Sequence, residues 1–278
     1  EVTIILGMKI LFLGTGAAEG WPALFCECDA CVKARALGGK NIRSRSSIQI
    51  DDEYKVDWPP DTYLHLVRYD LDLARVRYLF ITHNHYDHLH SDDFTMRRQP
   101  FAHMRDGREL HVYGSQDTID QILKSVEEQS KIGLKLHRIE PFDTVNAGIF
   151  KVTALLADHA MDRICLLYLL ESRGKTILYG HDSGFFPEET WTRMNDYRLD
   201  LVILDCTNGA LPYMRYHMGL EGVLKTKERM LSEGIADKDT IFVATHFSHN
   251  GLLMYDELVS KLLPEGIETA YDGLTIEI

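Results

Sequence analysis

Phe80-Ile81-Thr82-His83-Asn84-His85-Tyr86-Asp87-His88-Leu89 is the stretch on which the reading of the fold turns. Val76 to Ile81 is an apolar run rich in β-favouring residues, which predicts a buried strand, and it stops abruptly at three histidines and an aspartate. Imidazole and carboxylate are the ligands that borderline divalent ions such as zinc or manganese accept. A rigid strand end leading into a tight loop can aim alternate side chains into one pocket. His83 and His85, two apart, then serve one ion while Asp87 and His88 turn towards a second. A histidine-rich surface loop fits less well, because histidine clusters are compositionally the mark of metal binding.

The pattern His83-x-His85-x-Asp87-His88 after an apolar strand resembles the signature of the metallo-β-lactamase superfamily. The resemblance implies further ligands at later strand ends. His159 follows Val152 to Ala157, Asp182 follows Thr176 to Tyr179, and His246 follows Ile241 to Thr245. By that resemblance His83, His85 and His159 hold one catalytic ion, Asp87, His88 and His246 the other, and Asp182 bridges the two. The same resemblance casts Asp57, at the end of Tyr54 to Asp57, as a brace for the metal loop. Trp58-Pro59-Pro60 stands where the family usually has glycine, so a reshaped loop is expected there.

The chain has 278 residues, 45% hydrophobic and 26% charged, enough for a well-buried core. Its net charge of -12 and pI near 5.5 argue against a general nucleic-acid-binding surface. No apolar run reaches the roughly 18 residues of a membrane span, and no leader with a small-residue cleavage site is visible, so a cytoplasmic location is expected. Met8-Lys9-Ile10 reads as a natural start, which makes residues 1–7 an upstream extension or an expression remnant and 8–278 one hydrolase domain.

After the first strand, Met8 to Leu13, comes Gly14-Thr15-Gly16. Without a third glycine at dinucleotide-binding spacing it is read as a tight turn beside the metal site and not as a phosphate cradle. Cys26, Cys28 and Cys31 then fall within six residues, a spacing suited to thiolates converging on zinc. Cys165 and Cys206 lie in apolar runs and read as core. The combination of Gly-Thr-Gly, CxCxxC, HxHxDH and Thr245-His246-Phe247-Ser248-His249 resembles the PhnP-like branch of the superfamily, which contains a phosphoribosyl cyclic phosphate phosphodiesterase. The branch implies that His249 completes a structural zinc site with the three cysteines. It also implies that His217 contacts substrate and handles protons, and it favours Arg97 among Arg97, Arg98, Arg105 and Arg108 as a phosphate contact.

Helices are expected at Asp61 to Leu73, with Asp61 as cap, at Ser115 to Gln129, Glu188 to Asn195, Leu220 to Leu231 and Tyr255 to Leu263. Further strands are expected at Ser47 to Ile50, Leu134 to Ile139, Ile149 to Leu156, Ile164 to Leu170, Thr176 to Gly180, Leu201 to Asp205 and Ile241 to Thr245. The family then implies a four-layer αββα sandwich. The expected activity is hydrolysis of a small phosphodiester, cyclic ribose or nucleotide in type, by a hydroxide bridging two Zn or Mn ions. Asp87 and Asp182 would hold those ions, and His217 would act as general acid. Three rivals share the signature: a lactone or thioester hydrolase, a tRNA-processing nuclease, and a non-catalytic PqqB-like binding protein. The residues leave the oligomeric state open, a homodimer included. They assign no role to His65, His90, His103, His111, His137 or His181.

Overall fold

In the computed structural model, which describes residues 7–105 and 107–278, the described residues build two seven-stranded sheets packed face to face. The chain enters through β1 (Lys9–Gly14), β2 (Ser47–Ile50), β3 (Tyr54–Val56), β4 (Tyr78–Phe80), β5 (Leu110–Gly114) and β6 (Leu134–Arg138), which lie side by side in that order. It then forms β7 (Thr144–Ala147), β8 (Phe150–Leu156), β9 (Leu166–Ser172), β10 (Lys175–Gly180), β11 (Leu201–Asp205), β12 (Ile241–Thr245) and β13 (Ile267–Thr269), the second sheet. β14 (Thr275–Glu277) returns to the first sheet and pairs with β1. Each sheet joins an antiparallel half to a parallel half. In the second sheet β8 and β10 are both antiparallel to β9, so their C-terminal ends share one edge with those of β11 and β12. Side chains reach that edge from many strands at once.

The core between the sheets is aliphatic and aromatic, running from Met8 to Ala270. Polar bonds also cross it: Tyr168 Oη donates to the Ile81 carbonyl at 2.6 Å, and Leu166 N–H donates to Thr82 O at 2.9 Å. They pin the end of β4 against the second sheet. Helices α1 (Asp29–Leu37), α2 (Thr62–Tyr69), α3 (Gln116–Ser125), α4 (Glu188–Met194), α5 (Leu220–Ser232) and α6 (Tyr255–Leu262) flank the sheets, and a smaller core under α3 gathers Phe94, Ile122 and Val126. The αββα sandwich is the expected fold. No helix among the described residues is long and apolar enough to cross a membrane.

Local boundaries differ from the sequence reading for physical reasons. α2 stops at Tyr69 because Asp70 turns left-handed (φ 51°) and donates its N–H to Leu66 O, a stop that short polar side chains tolerate. Asp61 does not cap that helix through its side chain. Its carboxylate accepts the backbone N–H of Arg45 at 2.8 Å and faces the Arg45 guanidinium at 3.1 Å. The helix expected to run to Gln129 ends at Ser125. Gly14 and Gly16 do not make a left-handed turn but permit close approach: a Cβ on Gly14 would stand 2.0 Å from the Arg45 carbonyl oxygen. Through Gly16 and Ala17 this strand exit bonds to Phe247, next to His246, so the glycine segment does border the metal edge.

Candidate metal centre

Six strand ends deliver the centre. β4 runs into His83, His85, Asp87 and His88, β8 into His159, β10 into Asp182 and β12 into His246, while β3 and β11 contribute Asp57 and Asp205. His83 Nε2, His85 Nδ1 and His159 Nε2 converge, with His85 Nδ1 2.7 Å from the first and 3.1 Å from the last. Asp182 Oδ2 stands 3.3 Å from His83 Nε2 and 3.0 Å from His88 Nε2, and Asp87 Oδ2 is 3.0 Å from the same His88 nitrogen. His246 Nε2 approaches Asp87 Oδ2 at 3.9 Å. Thus His83, His85, His159 and Asp182 form one group of metal-competent atoms, and Asp87, His88, Asp182 and His246 a second, with Asp182 common to both. These seven are the residues the family resemblance implied, brought together.

The donor atoms fit a pair of divalent ions. His88 Nε2, His246 Nε2 and Asp182 Oδ1 are buried yet make no hydrogen bond of acceptable geometry, an unfavourable state for polar atoms unless a ligand takes them. The opposite ring nitrogens are anchored, which fixes tautomer and aim. His83 Nδ1 meets Thr82 Oγ1 at 3.1 Å, His88 Nδ1 meets Asp57 Oδ2 at 2.8 Å, His246 Nδ1 meets Thr207 Oγ1 at 2.8 Å, and His159 Nδ1 meets the Tyr216 carbonyl at 3.2 Å. Burial and the neighbouring histidines hold His83 well below the usual imidazole pKa, leaving its nitrogen free to coordinate. Asp57, Asp182 and His246 all adopt left-handed backbone (φ 62°, 57° and 61°), and such strain gathers at functional sites.

Asp57 stands where a brace should: it accepts Thr82 N–H at 2.8 Å as well as facing His88, and it is fully buried. The Trp58-Pro59-Pro60 departure keeps the loop anchored, since Trp58 N–H donates to His88 O and His90 N–H to Trp58 O, each at 2.8 Å.

A separate group lies at the opposite flank of the His246 loop. Cys26, Cys28, Cys31 and His249 place one ligand atom each within a single coordination radius. Cys28 Sγ is 3.3 Å and Cys26 Sγ 3.7 Å from His249 Nδ1. The Cys31 backbone N–H and His249 lower the Cys28 thiol to about 6, whereas burial raises Cys31 to about 11. Three sulfurs and one imidazole are the closed tetrahedral donor set of a structural zinc.

His217 is brought to the same edge, half in the pocket, with Nδ1 3.0 Å from Asp205 Oδ2 and 3.1 Å from Asp182 Oδ1. Asp205 is the functional residue that sequence reasoning missed. It is fully buried and also accepts the N–H groups of Thr207 and Met218 at 3.0 and 2.9 Å. His181, assigned nothing, is buried with its ring centroid 5.3 Å from those of His88 and His246. Arg97 is a correction. Its guanidinium donates to the carbonyls of Ile132 at 2.9 Å and Arg108 at 2.8 Å, on the cleft beside Gly133, and it does not line the metal pocket.

Fold and centre together are those of the metallo-β-lactamase superfamily. Residues 61–247, well over half of the chain, match the Beta-lactamase superfamily domain, and the chain belongs to that superfamily. Among solved structures it is similar to a diphosphatase from the PhnP family (22% identity, 98% of each chain, TM-score 0.76). It is also similar to zinc-bound PqqB from Methylobacterium extorquens (17% identity, 97% of this chain and 100% of that one, TM-score 0.71). The short form of human tRNase Z resembles it too, at 18% identity over 96% and 98% of the two chains with TM-score 0.67. At these identities the likeness is one of fold. Curated proteins give no match.

Proposed function

We propose that the protein is a PhnP-like, dinuclear metal-dependent phosphodiesterase that hydrolyses a small cyclic ribose or nucleotide phosphodiester. The observation that carries this reading is the His217–Asp205 pair, 3.0 Å apart, set against the carboxylate shared by both metal groups. Two divalent ions held there would lower the pKa of a water and neutralise charge on the phosphoryl oxygens.

The chain's own residues then supply the rest. A departing alkoxide is a poor leaving group and needs a proton in the transition state. Burial disfavours charge on His217, but the carboxylates facing it, Asp205 foremost, raise its pKa, which favours the imidazolium as donor. Nδ1 is committed to Asp205, and Asn208 Nδ2 fixes the His217 carbonyl at 3.0 Å, which leaves Nε2 to face substrate. The pocket holds about 370 Å³, the scale of a nucleotide and far below that of a folded RNA. The net charge of -12 also speaks against a tRNA partner.

His217→Ala in the metal-loaded protein tests this. Turnover of a cyclic nucleotide should fall on the order of a hundredfold or more, with metal content unchanged. The fall should shrink for bis-p-nitrophenyl phosphate, whose leaving group hardly needs a proton. Equal slowing of good and poor leaving groups would remove the general-acid role and move His217 to substrate binding.

A further inference from the structure

Beyond the metal groups, the pocket wall is made by Ala17, Ala18, Glu19, Thr207, Asn208, Ser248 and Asn250. Among the described residues that line it, none is a lysine or arginine. Cations on adjoining loops are held by carboxylates outside the pocket: Arg163 by Asp162 at 2.7 Å and Arg215 by Asp158 at 3.2 Å. Among the described lining residues Glu19 is the one acid outside the metal groups. It is held in place by the loop that carries the second metal group: Oε1 accepts from Ser248 Oγ and stands 3.5 Å from His249 Nε2. Its Oε2 receives no hydrogen bond from the described residues, and the side chain is 30% exposed. The wall thus presents one oriented anion amid neutral hydrogen-bonding groups.

A second phosphate on a substrate, lying beyond the ions that hold the scissile diester, would meet this anion with no lysine or arginine among the described lining residues to offset it. Like charges brought together in a partly desolvated site cost heavily, whereas a hydroxyl placed there finds an acceptor. A site built around such a hydroxyl rejects analogues that lack it. The adjoining surface is apolar, where Tyr216 Oη reaches Met161 Sδ at 3.2 Å and Met161 is 86% exposed, a surface suited to a base or sugar face.

Resting on the phosphodiesterase reading, we infer that Glu19 is a specificity-determining residue. It selects substrates whose part beyond the scissile diester is uncharged and carries a free hydroxyl, as in a nucleoside, and rejects those bearing a second phosphate. Glu19 joins this selectivity to the cysteine site, because the carboxylate is oriented by the same histidine that completes that site.

The test is kcat/KM of the metal-loaded protein for adenosine 2′,3′-cyclic phosphate with a free 5′-hydroxyl and for its 5′-phosphorylated form, in wild type, Glu19→Gln and Glu19→Lys. Taking the ratio within each variant cancels any loss of folded or metal-loaded protein. Wild type should prefer the 5′-hydroxyl form by on the order of tenfold or more, Glu19→Gln should narrow the ratio, and Glu19→Lys should invert it. Equal use of the two substrates by wild type, or a preference unchanged in both variants, would overturn the inference while leaving a phosphodiesterase. Failure of wild type to cleave even bis-p-nitrophenyl phosphate would overturn the phosphodiesterase reading and this inference with it.

Discussion

Asp205→Asn removes one charge from a carboxylate that four donors share. Oδ1 takes the backbone N–H groups of Thr207 and Met218 at 3.0 and 2.9 Å, and Oδ2 takes Thr207 Oγ1 at 2.9 Å and faces His217 Nδ1 at 3.0 Å. Asparagine can keep Oδ1 for the two backbone donors. Its Nδ2 can donate to Thr207 Oγ1, whose own proton turns to the His246 carbonyl 2.7 Å away. The charged contact cannot be kept. An amide N–H facing Nδ1–H forces His217 into the neutral tautomer whose Nδ1 accepts and whose proton sits on Nε2, a far weaker acid towards the leaving group than the imidazolium. A hydrogen bond to a charged group is worth about 1.5–3 kcal/mol, and Asp205 is fully buried, so the variant should lose about 2 kcal/mol. In a chain of this size that lowers the melting point by about 4–8 °C. Turnover of a cyclic nucleotide should fall by about 10²–10⁴. The decisive assay adds the double variant. If Asp205 acts through His217, Asp205→Asn with His217→Ala should be no slower than His217→Ala alone. Rate losses that multiply, or an Asp205→Asn protein that turns over normally, would refute the coupling.

Cys28→Ser should lower zinc by about one equivalent and lower thermal stability, because a closed Cys3His set stabilises without taking part in chemistry. Metal analysis with differential scanning calorimetry checks it, and undiminished zinc would count against the site. Lys55 is fully buried on β3 beside Ser47 Oγ, and burial lowers its pKa to about 7 from the usual 10.5. The folded state therefore binds fewer protons than the unfolded one between those values, so this group's penalty is full below about pH 7 and fades as pH rises towards 10.5. Lys55→Met should raise the urea midpoint at about pH 7 and lose that advantage at about pH 10. An advantage equal at both pH values would contradict the assignment.

What was legible in the sequence is what is contiguous. His83, His85, Asp87 and His88 sit in six residues at a strand end, and Cys26, Cys28 and Cys31 in another six, so spacing alone exposed both clusters. Central strands such as β8 to β12 were legible because long apolar runs are buried on both faces. The short edge strands β7, β13 and β14 alternate with exposed positions and carry too few apolar residues to signal themselves. Asp205 ends an apolar strand and looks like any strand-terminal acid. Its partnership with His217, twelve residues on, exists only once the loop after β11 folds back. Arg97 was misread for the converse reason: an arginine cluster reveals charge but not the carbonyls of Ile132 and Arg108 that occupy this guanidinium. Glu19 carries no local pattern at all and gains meaning only from Ser248 and His249, over two hundred positions away.

The central claim is that the paired metal groups sharing Asp182 hydrolyse phosphodiesters, and the most direct measurement is a single hydrolysis panel on the metal-loaded protein. It sets 2′,3′-cyclic nucleotides, cyclic ribose phosphates and bis-p-nitrophenyl phosphate against a lactone, each with and without a chelator. The account predicts chelator-sensitive cleavage of the phosphodiesters with the lactone left intact. A lactone opened while every phosphodiester remains untouched would contradict it.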